Sequence, residues 1–284
     1  DVYNIPVLLL IGWRGEPGVR DEPQHIKQGK ITLSLLECLG IDYMVAGETE
    51  NIDSVWEKAA SVLGKNKPFA VVVKKDIFSE YKLQRVQEDV SRLEKERAIE
   101  IIVGVLRKDD LIVATTGTIS RELFEIREKN GQSHANDFLA VGSMGHTSQI
   151  ALGIAASRWD RTVYCFDGDG SVLMHMGSLA VNASLGLKNF RHIVFNNGAH
   201  DSVGGQPTAA VSVALSKIVV SCGYKSVLSA DNEEDLLKAA EKMAAGDIQF
   251  LEVLVRKGSR KNLVRPTISP RDCKKNFMAV MHKK

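Results

Sequence analysis

Along this chain, short unbroken apolar runs alternate with longer stretches in which apolar residues recur every three or four positions. Residues 6–11, Pro-Val-Leu-Leu-Leu-Ile, form such a run, as expected of a central parallel strand covered on both faces. Residues 30–39 set Ile31, Leu35, Leu36 and Leu39 at helical spacing, with Gly40 as the stop. A strand over 41–45, a helix over 54–63 ended by Gly64 and Pro68, and a buried-type strand over 69–73 follow. The first eighty residues thus read strand-helix-strand-helix-strand.

Residues 80–97 break this rhythm. They are heavily charged, with Leu83, Val86, Val90 and Leu93 at helical spacing, and read as a partly helical linker. Ser91 and Glu94 form a candidate capping box for a helix running to Leu106. Alternation then resumes, with strands at 111–114, 138–141, 162–166, 191–195, 226–228 and 250–255. Helices are predicted over 119–129, 148–157, 171–185, 211–222 and 232–245, the last capped by Asp231. The 171–185 helix would carry Leu173, Met176, Ala180 and Ala183 on one face. The fold class is α/β, with mostly parallel, doubly wound sheets carrying helices on both faces.

Composition adds mainly exclusions. A chain of 284 residues, 44% hydrophobic, can bury one large or two ordinary cores. A net charge of +2 from balanced acids and bases gives no case for a nucleic-acid partner. The basic excess over 256–275 reads as a solvated C-terminal segment. Cys38, Cys165, Cys222 and Cys273 show no metal or redox spacing, which suits incidental thiols in a cytoplasmic protein, and no run is long enough to span a membrane.

The chemistry concentrates in residues 161–208. Here Gly168-Asp169-Gly170 follows a strand, Ser171 opens a helix with unpaired N–H groups, and Asn196-Asn197 ends the next strand. Asp169 and Asn197 stand 28 positions apart, room for a helical crossover that brings both to the carboxyl edge of a parallel sheet. A carboxylate, an amide oxygen and a nearby backbone carbonyl form half of a hard-oxygen shell for Mg²⁺, leaving positions for phosphate oxygens. Two further loops fall at the same edge. Thr115-Thr116-Gly117-Thr118-Ile119-Ser120 reads equally as an N-cap or as a diphosphate cradle. Gly142-Ser143-Met144-Gly145-His146 carries a methionine flanked by glycines.

Gly168-Asp169-Gly170 followed by Asn196-Asn197 resembles the thiamine-diphosphate fingerprint. The run Asn197-Gly-Ala-His-Asp-Ser-Val-Gly-Gly-Gln-Pro-Thr208 is similar to the corresponding loop of the phosphonopyruvate decarboxylases, with the sulfopyruvate decarboxylases close behind. The resemblance implies two thiamine-diphosphate-binding domains. Residues 1–80 would be the C-terminal part of a pyrimidine-binding domain incomplete at its N-terminus, 81–97 the linker, and 98–284 the diphosphate-binding domain.

It further implies Mg²⁺ held by Asp169, the Asn197 side chain and the Ala199 carbonyl, with Asn196 as a support. Diphosphate contacts would come from Thr116, Gly117, Thr118, Gly168, Gly170 and Ser171. Gly142 and Ser143 would lie by the aminopyrimidine, with the Met144 side chain wedged between the cofactor's rings. His200, Gln206 and Arg14 are the candidates to meet a small 2-oxo acid; from the residues alone, a loop histidine such as His200 is more often a solvated side chain than a proton donor, and Arg14 reads equally as half of a surface salt bridge. The activating glutamate of the resembled enzymes has no match here, since neither Glu16 nor Glu22 fits its motif. A longer parent chain or a partner is expected to supply it, in a homo-oligomer, at least a dimer, that shares the site between subunits. The implied reaction is decarboxylation of 3-phosphonopyruvate, with sulfopyruvate decarboxylation or non-catalytic cofactor binding as alternatives.

Overall fold

The computed structural model describes residues 2–79, 81 and 92–282, which divide into two compact units with the boundary between Val86 and Gln87. The first unit contains β1 (Leu8–Gly12), α1 (His25–Cys38), β2 (Asp42–Ala46), α2 (Ile52–Leu63) and β3 (Phe69–Val73). Its strands are parallel in the order β1-β3-β2. All five residues of β3 are buried, so the last strand in sequence is the middle one in space. The sequence points to 6–11 as the central strand instead; in the described sheet β1 is an edge, with Leu10 62% exposed. Likewise α1 buries Leu36, whereas Ile31, Leu35 and Leu39 are exposed. Periodicity identifies an apolar stripe but not which part of it finds cover.

The loop after β1 is pinned to α1 by a contact that only glycine permits. A Cβ on Gly29 would lie 1.7 Å from the Gly15 carbonyl oxygen, and one on Gly15 would lie 2.0 Å from the His25 carbonyl oxygen. Trp13 Nε1 donates to the Gly29 carbonyl at 2.9 Å across the same junction.

The second unit begins with α3 (Lys95–Val105) and β4 (Leu111–Ala114), followed by α4 (Thr118–Lys129), β5 (Asp137–Leu139) and α5 (Thr147–Ser157). Next come β6 (Val163–Gly168), α6 (Asp169–Met174), α7 (Ser178–Leu185) and β7 (Phe190–Asn196). The unit closes with α8 (Leu215–Ser221), β8 (Val227–Ala230), α9 (Glu233–Ala245), β9 (Phe250–Leu254) and α10 (Pro270–Met281). Its six strands are parallel in the order β5-β4-β6-β7-β9-β8. From β4 the chain winds one way to β5 and then returns to β6 on the other side, which makes β4/β6 the topological switch point. The α/β class with mostly parallel sheets is the one the alternation predicts. The linker helix, and Ser91 with it, lie outside the described residues, but the capping box expected of Ser91 and Glu94 is corrected: Glu94 is itself the N-cap of α3 and its side chain makes no cap bond.

Four further expectations are corrected. The 171–185 helix is two helices, broken at His175–Gly177, and burial follows Leu179 and Asn182 rather than Met176 and Ala180. The 211–222 helix begins only at Leu215, after a short turn (Ala209–Val211) capped by Thr208; the β-branched, exposed Val211 and Val213 are poor openers. The cap of α9 is Asn232, whose Oδ1 accepts from Asp235 N at 3.0 Å, while Asp231 bonds the Asn232 amide. The basic C-terminal stretch is not a solvated tail throughout. Ser269 caps α10 with Pro270 opening it, and α10 buries Cys273 and Phe277. The four cysteines carry no disulfide; Cys165 is fully buried, and burial pushes its thiol pKa well up, so it stays a neutral core group.

Phe277 packs edge-on against Phe138 with ring centroids 5.7 Å apart. Phe277→Ala is expected to lower the unfolding free energy by about 3–5 kcal/mol, read from a urea transition; a tail residue would change it by less than about 0.5 kcal/mol.

Candidate active site at the carboxyl edge of the second sheet

The carboxyl ends of β5, β4, β6 and β7 are neighbours because these four strands are adjacent and parallel. The turns leaving β4, β6 and β7 wall one cavity, lined among others by Thr116, Thr118, Met144, Asp169, Asn197 and His200. Thr115, Gly117, Gly168, Gly170, Ser171 and Ala199 line it as well. Most of the residues singled out in the sequence therefore meet in one place.

Asp169, at the start of α6, is 2% exposed. Burial raises its pKa, opposed by the Thr208 hydroxyl, which donates to Oδ2, and by the backbone N–H groups of Asn197 and Gly170. Every one of these partners is neutral, and no cationic side chain among the described residues pairs with this carboxylate. A buried carboxylate without a counter-charge is costly, and a divalent cation would remove that cost. The two other proposed oxygen donors stand at the same cavity. Asn197 donates through Nδ2 to Asp201 Oδ2 at 2.5 Å, and its Oδ1, which accepts from Ala199 N at 3.0 Å, keeps a second lone pair. The Ala199 carbonyl is left over by its hairpin. Ala199 faces Pro207 in a bridge flanked by Thr208 N to Gly198 O (2.9 Å) and His200 N to Gln206 O (2.8 Å), so Ala199 itself makes no cross-loop bond. A buried acid, an amide oxygen and an unclaimed carbonyl fit a hard cation such as Mg²⁺.

Asn196 behaves as a support. Its Nδ2 donates to Glu252 Oε1 on β9 at 2.8 Å, and its Oδ1 accepts from Gly198 N at 3.1 Å. Ser171 ties three walls together, since its hydroxyl oxygen accepts from Gly145 N at 3.1 Å and from Thr115 Oγ1 at 3.3 Å. Gly142 N donates to Thr116 Oγ1 at 3.3 Å, drawing the loop after β5 toward the turn after β4. Ser143 adopts a left-handed φ of 50° between Gly142 and the half-buried Met144. Gly142 and Ser143 are not themselves among the residues that line the cavity.

The glycines do not all serve as the motif suggests. Neither Gly168 nor Gly170 has a positive φ, so the turn after β6 needs no left-handed residue. Gly170 is required by packing instead: a Cβ there would sit 2.8 Å from the His200 ring. Gly117, at φ 105° just before α4, is a position where the backbone itself asks for glycine, as are Gly142, Gly145 and Gly198.

The candidates for substrate contact divide. His200 lines the cavity. Gln206 is exposed and does not; its backbone carbonyl holds the hairpin. Arg14, in the first unit, makes a two-pronged pair with Asp21 (2.9 and 2.6 Å). Asp21 also accepts from Gly15 N and Glu22 N, and the Arg14 guanidinium holds its pKa far below the ordinary carboxylate range.

Residue-by-residue reading missed Lys95, Glu122 and Ser259. Lys95 is 4% exposed and lines the cavity, and its Nζ lies 3.6 Å from Glu122 Oε1. Glu122, 1% exposed, accepts from Ser259 Oγ at 2.8 Å; burial pushes its pKa up to about 7, against the pull of Lys95. No signal in the sequence sets Lys95 apart from its charged neighbours.

The chain matches the family model described as "Thiamine pyrophosphate enzyme, C-terminal TPP binding domain" over residues 115–253. It is 31% identical to a phosphonopyruvate decarboxylase of Streptomyces viridochromogenes across 97% of this chain and 72% of that protein. It is 26% identical to a sulfopyruvate decarboxylase of Methanosarcina acetivorans, across 96% of this chain and 75% of that one. With the sulfopyruvate decarboxylase subunit beta of Methanothermobacter thermautotrophicus it shares 35% identity over 59% of this chain and 84% of that subunit.

Because folding raises the Glu122 pKa above its unfolded value, the folded chain holds a proton that the unfolded chain has released. This contribution to stability is present below the ordinary carboxylate range and is lost as pH rises to about 7. Glu122→Gln is expected to flatten the fall in melting temperature between roughly pH 4.5 and 7; an unchanged slope in a thermal series across that window would refute it.

Proposed function

Since this chain belongs to the phosphonopyruvate decarboxylase family, whose members are thiamine-diphosphate-dependent carboxy-lyases, we propose that it converts 3-phosphonopyruvate to phosphonoacetaldehyde and CO₂ with thiamine diphosphate and Mg²⁺. The observation that carries the reading is the lone buried Asp169 carboxylate, sharing a cavity with Asn197, Ala199 and the Thr116–Thr118 turn. When bound, the cofactor supplies a carbanion for attack on the 2-oxo carbon and a sink for the electrons left behind by CO₂.

The residues of the chain bind, orient and handle protons. Asp169, Asn197 Oδ1 and the Ala199 carbonyl would hold the cation. The N–H groups at the start of α4, with the Thr116 and Thr118 hydroxyls, offer donors to diphosphate oxygens where the helix dipole favours negative charge. Gly168, Gly170 and Ser171 would form the opposite wall. Met144 would press its flexible apolar side chain against the cofactor rings, with Gly142 and Ser143 behind it, keeping the reacting groups close. His200, packed against Gly170 at the cavity, would pass a proton to the product. Arg14 would meet the phosphonate only by exchanging Asp21 for it, and Gln206 would have to turn inward.

On this reading residues 1–80 are the later part of a pyrimidine-binding domain and 98–284 the diphosphate-binding domain. An activating glutamate would have to be supplied by a longer parent chain or a partner, in a homo-oligomer of at least two copies. A reducing cytoplasm suits the unpaired thiols, and no helix among the described residues is long and apolar enough to cross a membrane.

CO₂ release should be measured with phosphonopyruvate and with sulfopyruvate, each with thiamine diphosphate and Mg²⁺. Faster turnover of phosphonopyruvate is expected; preference for sulfopyruvate would replace the substrate, and no release from either would leave a cofactor-binding chain. Asp169→Ala should retain the fold by circular dichroism and lose Mg²⁺-dependent thiamine-diphosphate binding in calorimetry. Binding equal to wild type would refute the proposed cation site.

A further inference from the structure

Glu94-Lys95-Glu96-Arg97 opens α3 as a run of charges, and such a run is ordinarily a solvated face. Glu96 and Arg97 conform, with side chains 34% and 46% exposed, but Lys95 is buried to 4%. A lysine so withdrawn from water needs partners, and its partners lie on both sides of the cavity it lines.

On one side, Lys95 Nζ donates to Thr118 Oγ1 at 2.8 Å. On the other, it lies 4.0 Å from Asp201 Oδ2, the oxygen that receives the Asn197 amide at 2.5 Å and Gly258 N at 2.9 Å. A further bond to Ser259 Oγ at 3.1 Å and the 3.6 Å approach to Glu122 complete its surroundings.

Two consequences follow from donor and acceptor chemistry. An ammonium only donates, so Thr118 accepts from Lys95 and its own hydroxyl hydrogen points elsewhere. The charge also polarises that hydroxyl toward being a better donor. Asp201 Oδ2, which faces the ammonium, accepts from the Asn197 NH₂, and this leaves Oδ1 as the amide atom available to a metal. We propose that Lys95 is a positioning residue of the cofactor site: through Thr118 it aims a hydroxyl donor at an anionic diphosphate, and through Asp201 it orients the Asn197 amide toward a divalent cation. The inference rests on the thiamine-diphosphate reading above.

Calorimetric titration of the full chain with thiamine diphosphate at saturating Mg²⁺ tests it. Lys95→Met is expected to weaken binding by at least about tenfold, the range typical of residues that orient metal ligands, and by a larger factor than it changes kcat at saturating cofactor. Lys95→Arg should recover most of the affinity. Thr118→Val should cost less in the Lys95→Met background than in wild type, because the two act as one unit. Should Lys95→Met fail to fold with Glu122 left unpaired, Lys95→Met combined with Glu122→Gln removes the buried pair together and should show the same weakened binding. Wild-type affinity in the folded Lys95→Met or double variant, or full additivity with Thr118→Val, would overturn the proposal. A wild-type chain that takes up no thiamine diphosphate would instead bring down the cofactor reading, and this inference with it.

Discussion

A carboxylate held almost entirely out of water must be neutralised, paired or protonated, and Asp169 is surrounded only by neutral donors. Much of the second unit is arranged around that unfinished charge balance. Asp169 follows β6, Asn197 and Ala199 follow the neighbouring β7 and line the same cavity, and Thr208 reaches back from the hairpin to hold the carboxylate. The cavity is a consequence of topology before it is one of sequence. Once the chain reverses direction across β4 and β6, the turns leaving four parallel strands cannot pack flush, and a crevice remains.

Around this centre the polar side chains form a graded shell. Oxygen donors stand at the cavity, and Ser171, Lys95, Asp201 and Asn196 tie their turns to neighbouring ones: Ser171 to Thr115 and Gly145, Lys95 to Thr118 and Ser259, Asp201 to Gly258, and Asn196 to Glu252 on β9. A site built from several loops gains rigidity through such cross-bracing, since each loop alone is free to shift. Charge is balanced at a distance as well: one buried ammonium lies beside two carboxylates, one of which burial pushes up to about 7.

What could be read from the sequence follows the same gradient. Asp169 and Asn197 were legible because a strand-crossover-strand spacing has few geometric solutions, and strands at 69–73 and 111–114 were legible because buried parallel strands are apolar throughout. The break at His175–Gly177 was not, because the 3.6-residue pattern continues across it in the residue types even though the backbone does not. α10 was hidden by its lysines and arginines, which occupy the outer face while Cys273 and Phe277, with the partly buried Val280 and Met281, mark the inner one. Lys95 was hidden for a different reason. Its burial is imposed by Ser259 and Asp201, 164 and 106 positions away, and no local pattern encodes a contact at that range.

The hairpin at Ala199 and Pro207 carries a further implication. An imino acid has no hydrogen to give, so sliding this ribbon by one residue would set Pro207 where the ladder demands a donor. The proline therefore acts as a register lock, and the lone pair it protects on Ala199 is kept in reserve by the backbone rather than by any side chain.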